Sequence, residues 1–160
     1  MSSITKLTIP AKYRDKIRLL FIAKHALGDG SPDKQDGDHA VYHREVRDVL
    51  EGMGLNVTVA NSPEVLFTKP DVDFVFSLLN RGGYLNSEMM MPLLCTWRKL
   101  PYLGATPILR GLSDDKHLMK MAARARGIPT APSAIYRQGA PVERFIDFDA
   151  DRFVIKPNAS

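Results

Sequence analysis

The chain has 160 residues, of which 44% are hydrophobic and 25% charged, and it carries a net charge of +4. This length suits one domain, or one domain and part of a second, with enough chain to bury a core. No run of about 20 apolar residues is present, so no membrane span is expected, and the scattered Lys and Arg form no aromatic-interleaved basic stripe of the kind nucleic acid requires. The amino terminus lacks the basic, apolar and small-residue order of a signal peptide. The single cysteine, Cys95, has no internal disulfide partner. It lies in the apolar run MMMPLLC and reads as a small buried hydrophobe, consistent with a reducing, cytoplasmic setting.

Taken in order, Ile17–Ala23 (IRLLFIA) is a short apolar run with the length of a buried strand. Residues 25–38 (HALGDGSPDKQDGD) are dense in Gly, Asp and Pro and predict a loop. His39–Met53 predicts a helix, with Val46, Val49, Leu50 and Met53 at spacings of three and four on one face and Gly54 as its stop. Asn56–Ala60 (NVTVA) and Val72–Leu79 (VDFVFSLL) read as strands. Residues 80–87 (NRGGYLNS) read as a loop, and Glu88–Lys99 as a helix that tolerates Pro92 in its first turn. Pro101–Gly104 (PYLG) is a short extended piece.

This alternation is the grammar of an open, parallel-rich α/β sheet of Rossmann-like type, whose ligands bind beyond the carboxyl ends of the strands. A second unit is expected from about Pro107, dividing the chain into 1–106 and 107–160. In it Ser113 is the expected helix N-cap, Asp114 and Asp115 favour the positive helix end, and Gly127 is the stop. Leu118, Met121, Ala122 and Ala125 share a face. Ser133–Tyr136 and Arg152–Lys156 read as strands, antiparallel neighbours across a loop.

Four histidines (25, 39, 43 and 117) lack metal-like partners in the sequence. The i, i+4 spacing of His39 and His43 has no intervening Glu or nearby third ligand, which makes it a weak metal signal. Gly82-Gly83 reads as a turn, since no Lys-Ser/Thr follows as in a phosphate loop.

The stretch Gly104–Tyr136 (GATPILRGLSDDKHLMKMAARARGIPTAPSAIY) resembles the D-alanine–D-alanine ligases of the ATP-grasp superfamily. Asp115-Lys116, Lys120 and Gly127-Ile128-Pro129-Thr130 fall at matching places. FVIKPNAS looks like the ATP-grasp strand that carries a nucleotide lysine, matched by Lys156. The likeness covers residues 72–160 well and residues 17–60 in architecture.

The resemblance implies a pre-ATP-grasp α/β domain followed by the start of an α+β ATP-grasp subdomain. It also implies an ATP-dependent carboxylate–amine ligase working through an acyl phosphate, with ATP and Mg2+ as cofactors and an amino acid or amine as substrate. Lys116 and Lys156 would hold the phosphates. Taken alone, Lys116 reads first as a solvated first-turn lysine, and Lys156 equally as an edge-strand gatekeeper.

The loop after the first strand departs from the family pattern. It lacks the acidic Ser-Glu motif, and Gln35, with Asp36 and Asp38 beside it, falls near the family's glutamate; these three are the candidate substrate-binding residues, or else an ordinary solvated loop. NRGGYLNSE likewise stands where the family has His-Gly-x-x-Gly-Glu-Asp-Gly. The magnesium ligands and acyl-phosphate stabilisers of the family have no match in the chain, so it reads as an inactive amino-terminal fragment, with a homodimer compatible. The alternative is a non-catalytic doubly wound module that binds a nucleotide or a partner.

Overall fold

The computed structural model describes residues 8–79, 87–139 and 151–158. A one-turn helix α1 (Ala11–Arg14) precedes strand β1 (Arg18–Ile22). Helix α2 (His39–Gly52) leads to β2 (Asn56–Ala60). A 3-10 turn (Pro63–Thr68), capped by the Ser62 hydroxyl accepting from the Glu64 amide, leads to β3 (Phe74–Ser77). A second 3-10 turn (Ser87–Met89) runs into α3 (Met90–Arg98), then β4 (Tyr102–Leu103). Two helices follow, α4 (Pro107–Asp114) and α5 (Lys116–Ala125).

The four strands form one all-parallel sheet in the order β2-β1-β3-β4. Arg18 stands opposite Asn56, and Leu19 opposite both Val57 and Phe74. β1 is therefore interior, and its RLLFI sequence reflects this: four of its five residues are buried. Leu20 and Ile22 face one way, onto a core with Leu66, Val75, Met91, Leu94 and Cys95 beneath α3 and the first 3-10 turn. Leu19 and Phe21 face the other way, with Ala23, Ala26 and Leu50 beneath α2. The Phe21 ring meets Phe76 edge-on, centroids 5.8 Å apart. Cys95 is fully buried, and burial pushes its thiol up to about 11. Among the described residues no helix is long and apolar enough to cross a membrane.

The α/β sheet and its strands agree with the sequence reading, and Pro92 is the third residue of α3, inside its first turn. Gly54 and Gly127 both take the left-handed conformation expected of helix stops (φ 78° and 68°).

Several expectations need correction. The inward face of α2 is Ala40, His43 and Leu50 with Val46 partly buried, whereas Val49 and Met53 are exposed. Ser113 is no N-cap. Thr106 and Pro107 open a helix seven residues earlier, the Ser113 hydroxyl donates back to the Arg110 carbonyl at 2.8 Å, and Asp115 caps α5. Residues 133–136 and 152–156 are not strands. A strand exists only through its ladder, and neither segment pairs among the described residues; Val154 and Ile155 are 80% and 96% exposed. Beyond Leu103 the described residues contain helices and no sheet. The loop reading of 80–87 lies outside the described residues except for Ser87.

Candidate functional site at the carboxyl ends of the strands

Because β1 is flanked by β2 on one side and β3 on the other, the chain leaves β1 and β3 in opposite directions. The carboxyl ends of these two strands therefore part a crevice at a topological switch point. Main-chain bonds close the ladder at the carboxyl end of β1 on both sides. The Ala23 amide donates to the Ala60 carbonyl at 3.0 Å, and the Leu78 amide to the Ile22 carbonyl at 2.8 Å.

The 24–38 loop has internal order. The Asp33 carboxylate accepts from the Gln35 and Asp36 amides at 2.7 and 3.0 Å, a side-chain-built turn that pulls its own titration below the usual range. Asp36 then receives both the Lys24 ammonium and the His25 ring, the latter at 2.8 Å. These two partners hold its carboxyl at about 2, so it is a carboxylate at neutral pH. Three residues of α2 fasten the loop to the helix. The Arg44 guanidinium donates to the Asp29 carbonyl, Arg47 to the Ala26 carbonyl at 2.8 Å, and the His25 amide donates to Nδ1 of His43 at 3.3 Å. Gly30 sits hard against Arg44 with φ 82°; a Cβ there would lie 2.5 Å from the arginine Cδ, so neither the space nor the backbone admits a side chain.

His43 is 3% exposed. Its ring lies 5.7 Å from that of His25, nearly parallel, and 6.0 Å from those of His39 and Tyr42. Burial, with His25 and His39 beside it, holds its titration below the ordinary imidazole range, so it is neutral. Since Nδ1 accepts the His25 amide, the single ring proton sits on Nε2. That atom is buried and has no hydrogen-bond partner among the described residues. A ring in this tautomer has no lone pair left for a metal, and no group of three or more metal-ligating side chains converges among the described residues. His43 attaches the loop through that bond, and the His39 ring meets it edge-on at 6.0 Å.

Of the residues singled out in the sequence, Asp36 is the centre of this cluster. Gln35 is exposed and engaged through its amide, and Asp38 occupies the N-cap position of α2 without making a side-chain cap. The cluster's other members were missed. Asp33 had a local signal, an Asp followed by residues suited to a turn. His25 and His43 lie 18 positions apart, and nothing local announces their meeting.

Lys116 is the first residue of α5. The Asp115 carboxylate accepts from the Leu118 amide at 2.8 Å. The Asn158 carbonyl accepts from the Lys116 amide at 3.1 Å and from its ammonium at 3.2 Å, while Oδ1 of Asn158 accepts from the His117 amide at 2.9 Å. The segment 151–158 is therefore docked on the start of α5 through Asn158, which brings the exposed Lys156 segment to the helix that begins with Lys116. At the other end, Lys120 and Arg124 both hold the Ala131 carbonyl, at 3.0 and 3.1 Å.

A parallel α/β sheet with a switch-point crevice is the class of protein these features define, compatible with a Rossmann-like domain. No protein-family profile matches the chain. It is similar to a protein named D-alanine–D-alanine ligase from Ruegeria sp. (strain TM1040), 26% identical over 140 residues; the aligned region is 86% of this chain and 44% of the relative. The chain thus spans less than half the length of that relative, and the similarity supports a relationship to a ligase.

Proposed function

We propose that the chain forms the front part of an ATP-dependent, ADP-forming carboxylate–amine ligase resembling D-alanine–D-alanine ligase. Residues 1–106 are its pre-ATP-grasp domain and residues 107–160 the beginning of its nucleotide-binding domain. In this chemistry the terminal phosphoryl group of ATP passes to a substrate carboxylate, giving ADP and an acyl phosphate. An amine then attacks the acyl carbon and phosphate leaves. The protein's task is to hold cations against the transferring group.

The observation that supports this reading best is the docking of Asn158 on the start of α5, which joins the segments bearing Lys116 and Lys156. The backbone amides of Lys116, His117 and Leu118 are already taken by Asn158 and Asp115. Phosphate oxygens would therefore be met by lysine ammonium groups and not by the helix end. The Gln35–Asp38 loop, at the switch point, would face the amino-acid or amine substrate. Asp36 is already paired with the Lys24 ammonium and hydrogen-bonded to the His25 ring, which argues against its serving as a simple ammonium receptor and for a substrate other than D-alanine. Magnesium ligands are not assembled among the described residues, and no step here is assigned to them. The 160 residues alone are expected to be inactive.

The test is made on the complete polypeptide carrying these residues, by nucleotide titration and single-turnover ADP formation. Lys116→Ala and Lys156→Ala should each slow phosphoryl transfer at least about tenfold, which is about 1.4 kcal/mol of barrier, with the melting temperature nearly unchanged. Two variants that match the parent in affinity and rate would overturn the assignment. Nucleotide binding by the parent with no ADP formation would favour the non-catalytic module instead.

A further inference from the structure

We infer that His43 is a positioning residue for the loop at the switch point: as a neutral imidazole it accepts the His25 amide and thereby seats the His25–Asp36–Lys24 cluster, and its protonation releases that loop. That the loop serves a substrate rests on the ligase reading; the anchoring does not, and the test below is read without ligand.

The argument is geometric. Among the described residues three side chains of α2 bond to the loop, and two of them are arginines, whose guanidinium groups only donate. The third, His25 amide to His43 Nδ1, exists only while that nitrogen is unprotonated. It is also the bond nearest β1, so it fixes where the His25 ring begins its reach to Asp36. A proton on His43 would bring two donors face to face and place a cation in a site that is 3% exposed.

The surroundings offer that cation little. From the loop, His25 stacks on it; from α2, His39 meets it edge-on and Tyr42 lies tilted beside it. The one carboxylate acting on it among the described residues, Asp36, is already shared by Lys24 and His25. Charging His25 has the opposite effect, since an imidazolium binds Asp36 more strongly. Protonation of His43 and of His25 therefore pull the loop in opposite directions, and burial together with its two histidine neighbours favours the neutral form of His43.

The test follows the imidazole signals and the backbone-amide protection factors of residues 25–38 against pH by NMR. In the parent, protection of the His25 amide should fall at least about tenfold as pH drops below the ordinary imidazole value of 6.5, in step with His43 and not with His25 or His39. His43→Asn keeps an acceptor near the Nδ1 position but cannot titrate, so it should retain protection and flatten the pH dependence. His43→Phe keeps the ring without the acceptor and should show low protection at every pH. His39→Gln removes a neighbouring charge and should move the parent's transition to higher pH. The inference is overturned if His43→Asn loses protection at the same pH as the parent, or if His43→Phe, once folded, protects the His25 amide as well as the parent does. Should His43→Phe fail to fold, the comparison of His43→Asn with the parent decides alone.

Discussion

Phe21 lies at the middle of the interior strand, with no exposed surface, its ring edge-on to Phe76 at 5.8 Å and 60°. Burying an aromatic side chain removes roughly 150–250 Å2 from water, which at about 25 cal/mol per Å2 is about 4–6 kcal/mol. Alanine retains a small part of this and leaves a cavity that the parallel sheet, bonded on both sides of β1, cannot close. Phe21→Ala should therefore cost about 3–5 kcal/mol, a large fraction of the roughly 5–15 kcal/mol that holds a domain together. Phe21→Leu keeps most of the volume and should cost about 1–1.5 kcal/mol. Combined with Phe76→Leu it should show a coupling of about 0.5–1.5 kcal/mol from the lost ring pair. Urea unfolding followed by circular dichroism, with the slope held constant between variants, measures all three. A cost below about 1.5 kcal/mol for Phe21→Ala, or a coupling of zero, would refute the claim that this strand is the spine of the domain.

Two further outcomes are expected. The carboxyls of Asp36 and Asp73 titrate near 2, the first held down by Lys24 and His25 and the second by Arg18. A depressed carboxylate stabilises the fold above its ordinary value of 3.8 and loses that contribution as pH falls toward about 2; acid unfolding should sharpen in that window, and Asp73→Asn should flatten it. Asn158→Ala should free the 151–158 segment from α5, read as faster amide exchange at His117 with the exchange of β1 unchanged.

The strands and helices of the first hundred residues were legible because each carries its own signal. RLLFI and NVTVA are short, apolar and β-branched, and the α2 sequence repeats its apolar residues at helical spacing. The errors came where structure depends on something not local. Ser113 looked like a cap because Asp-Asp-Lys follows it, but the Thr106-Pro107 start, with its hydroxyl accepting from Leu109 at 3.5 Å, had already placed Ser113 inside a helix. The segments 133–136 and 152–156 have strand-like composition, yet pairing is a property of two segments and composition reports on one. On α2 the apolar count favoured Val49 and Met53 over His43, since periodicity cannot foresee that a loop would bury a histidine. Of the candidate site, Asp36 could be named from the sequence, whereas its partners are set by the path of the chain around β1.

That path also governs how the protein comes into being. Arg18 pairs with Asn56 and Leu19 with Phe74, so β1 waits for partners about 40 and about 55 residues further along. Among the described strands every pairing is parallel, so none offers a hairpin to start from. At roughly 5–20 residues per second of synthesis, the central strand spends about 3–11 seconds outside the ribosome before β3 exists to cover its second edge. The extra loop length for β3 over β2 costs only about 0.3 kcal/mol in closure entropy, so closure does not impose an order. Chain order does, since α2, whose Leu50 and Val46 share a cluster with Leu19 and Phe21, is made before β3. Leu20 and Ile22, on the opposite face, are met first by Leu66 of the 3-10 turn, and Met91, Leu94 and Cys95 of α3 complete their cover.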